Sequence, residues 1–324
     1  MLTSLIRTKT MLSLLLTYVL GVVLVGLVWL FRMDSIIVSS ELLSTHWAFG
    51  WVDGSYSMIS ILGVVLLTGA ATFSRIRFRE IKETLGSRNL SMLAFVSLVA
   101  SQSQIVFGRP DVLIGNLVII AVFMLIFFTY KKDNALSEIF HVGLGIGVAS
   151  LFVGQSIVLV LAVAFSLLML RTGNLKEWVV FSLGLMMTMV FIWLAVIWAD
   201  APVLAFKRVI QSAWMAQASV TSLTVGHVVL FSIMVLSLST ALSNITAGTV
   251  HLRNISLVNL GWVIGVALMI LILGVDWQDG LVLAAFPLSN LVAQFIESIN
   301  RWWLADILVL LLLAVPVLSI LLPL

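Results

Sequence analysis

The chain contains no cysteine in 324 residues, which excludes disulfides, thiol nucleophiles and cysteine-ligated metals. Histidine is scarce as well: four residues, too scattered along the sequence to nominate a metal cluster. Charge is the third shortage, at 10% of residues where soluble domains carry about a quarter. There is no internal repeat, no low-complexity tract and no linker that would divide the chain, and nothing points to a nucleic-acid partner.

What the sequence has instead is apolar mass. At 62% hydrophobic residues and a mean hydropathy of +1.21, the chain exceeds any soluble composition. Runs of about 20 apolar residues cross a hydrocarbon core of roughly 30 Å as helices, which satisfy their own backbone there. Such runs occur at 11–31, 55–74, 91–107, 111–129, 139–153, 155–170, 178–198, 224–243, 256–274, 280–296 and 302–323. The expected fold is therefore all-α, a single polytopic transmembrane helical bundle over 1–324 with eleven spans, and its first partner is the lipid bilayer. Arg7 and Lys9 precede the first run as in a signal peptide. That run is about 20 residues long, has no small-x-small end and is followed by Arg32, so it reads as a retained anchor.

The least obvious division lies between Ile139 and Leu170. That stretch is too long for one helix and carries Gly154-Gln155-Ser156 at its middle, so it reads as a tight hairpin. Lys and Arg test the division, because they stay on the cytoplasmic side of short loops. With the N-terminus inside and the C-terminus outside, thirteen of the seventeen fall on the inner side, and Arg32, Arg109, Lys207 and Arg208 fall outside. Without the hairpin the ratio would be eleven to six. Each face holds seven acids, so the inner face carries +6 and the outer face −3.

Chemistry is sought on the outer side. The segment 32–54 combines Asp34, Glu41 and Asp53 with His46, Trp47, Phe49 and Trp51. An interfacial helix with an aromatic belt explains these residues, and so does a general base held over the outer end of the bundle. The segment 199–222 carries Lys207-Arg208 on the face that disfavours cations. The pair either snorkels to headgroups or holds a lipid phosphate, for which Arg offers a planar fork and Lys a point charge. Arg109-Pro110-Asp111 is ordinary helix-start chemistry, yet Arg109 is also available to a phosphate. Ser101, Gln102, Ser103 and Gln104 precede it as a polar patch inside the membrane.

Other features read as structural. Gly143, Gly145 and Gly147 mimic a phosphate loop, but no strand precedes them and small residues in membrane helices serve close packing. Asp306 lies about a turn from an inner helix end, where an interfacial position is expected rather than a proton relay. His141 and His227 lie near or within spans, and the acceptor patterns at Asn244 and Asn254 fall on the inner side.

The stretch from Gly143 through Phe152, the apolar helix to Leu170-Arg171, and Glu177-Trp178 leading into a span with Gly184 resemble the middle of an uncharacterised multi-pass family of Bacteroidota inner membranes. The same pattern resembles the core of GT-C glycosyltransferases, and Arg109-Pro110-Asp111 is similar to a helix start in that superfamily. The likeness covers roughly 90–195. It implies a polyprenyl-phosphate-linked sugar as donor, an outward-facing site and a catalytic carboxylate in the first outer loop, and eleven-span members with the N-terminus inside exist in that superfamily. On this reading Asp34 is the base with Glu41 and Asp53 behind it, and Arg109, Lys207 and Arg208 hold phosphate. Two other readings stay open: a non-enzymatic subunit of an envelope secretion or surface-assembly complex with a protein partner, and a transporter or lipid flippase.

Overall fold

The computed structural model describes residues 19–24, 26, 88–102, 110–130, 132–171, 174–198 and 224–321. Among these the chain is all helical. The elements are α1 (Arg88–Ser101), α2 (Pro110–Phe128), α3 (Leu136–Phe152), a 3-10 turn (Gly154–Val158), α4 (Leu159–Leu170), α5 (Leu175–Trp198), α6 (Val225–Ala247), α7 (Val250–Leu273), α8 (Trp277–Ser298) and α9 (Trp302–Leu321). Residues 19–24 are a further helical piece, and a side chain on Gly21 would touch Val96 of α1.

Five described helices are long and apolar enough to cross a membrane: Asp111–Phe128, Val225–Ala247, Leu252–Leu273, Trp277–Ser298 and Trp302–Ser319. Their outward faces carry large exposed hydrophobics such as Val235, Leu271, Ile272 and Leu310, and α5 adds Leu183, Met186, Phe191 and Trp193. Water would drive such surfaces to aggregate, whereas lipid tails solvate them. The protein is a multi-pass membrane protein.

The chain does reverse between Ile139 and Leu170. Val153 leaves the helix with an extended backbone, φ −127° and ψ 94°, and the 3-10 turn follows. Arg171, at the end of α4, then donates to the carbonyls of Thr129 and Lys132, both at 2.7 Å, just before α3 begins. The hairpin is not tight, however, because its two arms barely touch. α3 is held elsewhere: a methyl at Gly143 would overlap the Phe181 carbonyl, one at Gly184 the Phe140 carbonyl, and one at Gly147 the Thr188 hydroxyl. These glycines let α3 and α5 approach backbone to backbone as parallel neighbours, which is the packing role their spacing suggested. α4 packs instead along α7, where Gly261 and Gly265 accommodate Phe165 and Ala162. Small residues on two different partners thus pull the arms apart.

The remaining registers follow from paired contacts. Phe95 meets Phe286, placing α1 antiparallel to α8 when Leu90 and Leu93 cluster with Val292 and Ile296. α6 runs parallel to α8, with His227 against Trp277 at one end and Asn244 bonded to Gln294 at 3.2 Å at the other. Ser319 of α9 packs on Gly226 of α6. The helices therefore alternate between two ends. One holds Arg88, Lys132, Arg171, Lys176, Arg253 and Arg301; the other holds the starts of α2, α6 and α8.

At the centre sits α8, with 94% of its span buried. Around its middle Phe123 packs on Phe286 and Trp262, each with ring centres 5.3 Å apart and edge to face, and Phe95 packs on Phe286 at 6.2 Å. The Trp262 indole donates to the Ser166 hydroxyl at 3.1 Å, joining α7 to α4. Because its neighbours shield α8 from lipid, it can carry Gln278, Asp279, Ser289, Asn290 and Gln294 in its buried set. Pro287 interrupts its backbone ladder near the middle.

Candidate functional site

Among the described residues every Lys and Arg lies at the first end, together with Asp133, Glu138, Glu177, Glu297 and Asp306. The other end holds Asp111, Asp276 and Asp279. The bundle thus has a basic end and an acidic end.

The acidic half contains a polar layer that emerges from helix registers. Asn116 precedes Phe123 by seven residues, Asp279 precedes Phe286 by seven, and Gln102 follows Phe95 by seven. Two helical turns return a side chain to nearly the same face about 10 Å along the axis. Phe286 packs on both Phe95 and Phe123 near the bundle's middle, so Asn116 and Asp279 lie at about one level above these rings, towards the acidic end, and Gln102, just past the end of α1, lies near that level. Ser156 reaches the same level from the other side, since Leu159 and Ala162 flank Gly265 of α7 and Gly280 of α8 abuts Val266 and Ile270.

These side chains are sealed from solvent: Gln102 is 1% exposed, Asn116 0%, Ser156 0% and Asp279 1%. Gln102 donates through Nε2 to Ser101 at 3.0 Å, leaving Oε1 without a protein donor. Both amide atoms of Asn116, the Ser156 hydroxyl and Gln278 Oε1 likewise have no protein partner. An amide left unbonded in an apolar interior costs about 1–3 kcal/mol.

Neighbouring polar groups close among themselves. Thr224 caps α6, its hydroxyl 2.6 Å from Nδ1 of His227, whose ring stands edge to face with Trp277 at 4.7 Å. Asp276 caps α8 by accepting from the Gln278 backbone at 3.2 Å. At the basic end the Arg171 guanidinium binds the Glu177 carboxylate through Nε at 2.9 Å and through its Nη2 at 2.7 Å, besides the two carbonyls already described. Lys132 pairs with Glu138. Ser256 and Asn259 on α7 are also buried without a side-chain partner, but on the basic side of Trp262.

The residues that the sequence nominated fall elsewhere. Asp34, Glu41, Asp53, Arg109, Lys207 and Arg208 lie outside the described residues, as do Ser103 and Gln104. Asp111 is described and buried in the first turn of α2, and Ser101 and Gln102 are buried, Ser101 donating to the Leu98 carbonyl of its own helix. His141 is a surface residue whose ring donates to the Ser137 carbonyl at 2.6 Å. The nominations missed Asn116 and Asp279. The only signal for them was their seven-residue distance from Phe123 and Phe286, which gains meaning once those rings are known to touch.

No family model, curated protein or solved structure matches this chain.

Proposed function

We propose that this protein is a GT-C-like membrane glycosyltransferase that moves a sugar from a polyprenyl-phosphate carrier to an acceptor on the outer face of a bacterial inner membrane. On this reading the chain has eleven spans, the basic end faces the cytoplasm and the acidic end faces the periplasm. A carboxylate takes the acceptor hydroxyl proton while cations hold the departing phosphate. Asp34 is assigned as the base, supported by Glu41 and Asp53, with Arg109, Lys207 and Arg208 on the phosphate.

The observation that carries the reading is the segregation of charge between the two ends. The described residues flanking Arg109, Gln102 and Pro110, belong to the acidic end, and so do Trp198 and Thr224, which flank the segment with Lys207 and Arg208. The test is transfer by reconstituted protein from polyprenyl-phosphate-linked sugars. Asp34→Asn should abolish transfer and leave the melting temperature unchanged; full transfer by that variant sinks the assignment.

A transporter is the second reading, favoured by one observation: a buried carboxylate on the central helix, which Pro287 interrupts. It requires solute flux across vesicles without any covalent product.

A further inference from the structure

We propose that Ser256 and Asn259 of α7 together hold a buried water molecule in the basic half of the bundle, in a site that Trp262 closes towards the centre. The proposal goes beyond both functional readings and depends on neither.

The helix itself brings the two side chains together. Residues three apart on an α-helix are neighbours, with Cβ atoms about 5–6 Å apart. Ser256 and Asn259 are both 0% exposed. Their side-chain polar atoms, the Ser256 hydroxyl oxygen and the oxygen and nitrogen of the Asn259 amide, have no protein partner.

The serine carries the argument furthest. A helical hydroxyl has a partner at hand in the carbonyl three or four residues back along its own helix. Ser166, Ser237, Ser289 and Ser319, all buried, take that partner. Ser256 forgoes it and has an unpartnered amide one turn away. Ser97 forgoes it too, but the residues a turn from it are Leu93, Ala94, Ala100 and Ser101, of which Ser101 is already bonded to Leu98.

The chemistry selects the ligand. Neither side chain carries charge, so an ion would find nothing in the pair to balance it in a medium of low dielectric. What the pair offers is a hydroxyl and an amide, each both donor and acceptor. Water donates and accepts at once, and a buried water typically makes about three hydrogen bonds to groups that the protein leaves unsatisfied. Such a bridge removes the cost of burying the two groups unbonded.

The position selects the route. Arg253, exposed at the basic end, stands one turn before Ser256. Three residues beyond Asn259, Trp262 is fully buried and fixed by its indole bond to Ser166. Water therefore enters from the basic end and stops short of Trp262.

The test is a density map of the full-length wild type at a resolution that shows ordered water, paired with melting of Ser256→Ala, Asn259→Leu and the double variant in detergent. Density within hydrogen-bond distance of both Ser256 Oγ and the Asn259 amide is expected. An empty site overturns the proposal, and so does a direct bond between the two side chains. Each single substitution takes one partner from the water and leaves the other side chain poorly bonded, lowering the melting temperature by roughly 2–4 °C. The double variant removes the whole set and should melt closer to the wild type than either single variant. Single substitutions that raise the melting temperature, or losses that add in the double variant, overturn the proposal. The wild-type map decides even if a variant fails to fold. It needs no sugar donor, so its failure is separate from failure of the transferase reading.

Discussion

Two regions of this bundle treat buried polarity in opposite ways. Around Arg171 the groups close on one another: a guanidinium fixes the Glu177 carboxylate and the carbonyls of Thr129 and Lys132, tying the α2–α3 connection to the α4–α5 connection. In the layer of Gln102, Asn116 and Asp279 the donors and acceptors of the two amides are only partly used, although the residues are more deeply buried. The first region closes its polar groups on one another; the second leaves amide atoms without a partner where that is costly. Low dielectric makes both consequential.

The comparison can be broken from either side. The largest expected effect is that of Gly184→Leu, which drives a side chain into the Phe140 carbonyl, pushes α5 from α3 and so takes Glu177 away from Arg171. A loss of about 3 kcal/mol is expected in reversible unfolding. Arg171→Met should follow at about 2–3 kcal/mol, since it leaves a mostly buried carboxylate and the Lys132 carbonyl without the donor they have in Arg171. Trp262→Phe keeps the ring packing against Phe123 but removes the bond to Ser166, and should cost about 1 kcal/mol. Smallest of all, Asn116→Leu should shift stability by less than about 1 kcal/mol, because it removes no protein hydrogen bond. If Asn116→Leu instead destabilises as strongly as Arg171→Met, the two regions do not differ in kind.

Much of the fold was legible in the sequence. From residue 91 onward each apolar run has its helix, and the break at Gly154-Gln155-Ser156 is where the chain turns. Helices in lipid are dictated locally, by hydrophobic length and by the need to close the backbone, so local sequence suffices to find them. The splay of the hairpin was not legible, because it depends on which distant helix offers a groove to each arm. Gly143 and Gly147 announced close packing without naming α5 as the partner. The polar layer was hidden for the same reason. Asp279 in a first helical turn and Gln102 at a helix end each look like terminal chemistry, and Asn116 like an isolated amide. They come to about one level only when Phe286 is seen to pack on both Phe95 and Phe123.

Segregation of charge between the two ends implies that they lie on opposite sides of the membrane. Because the chain has no cysteine of its own, single cysteines report sidedness without background. Lys132→Cys, Lys176→Cys and Asp276→Cys, exposed in intact cells to a membrane-impermeant maleimide, test it directly. The account predicts that Asp276→Cys is labelled from outside while Lys132→Cys and Lys176→Cys react only after permeabilisation. Labelling of Lys132→Cys and Lys176→Cys from opposite sides, or of Asp276→Cys from the same side as both, would contradict it.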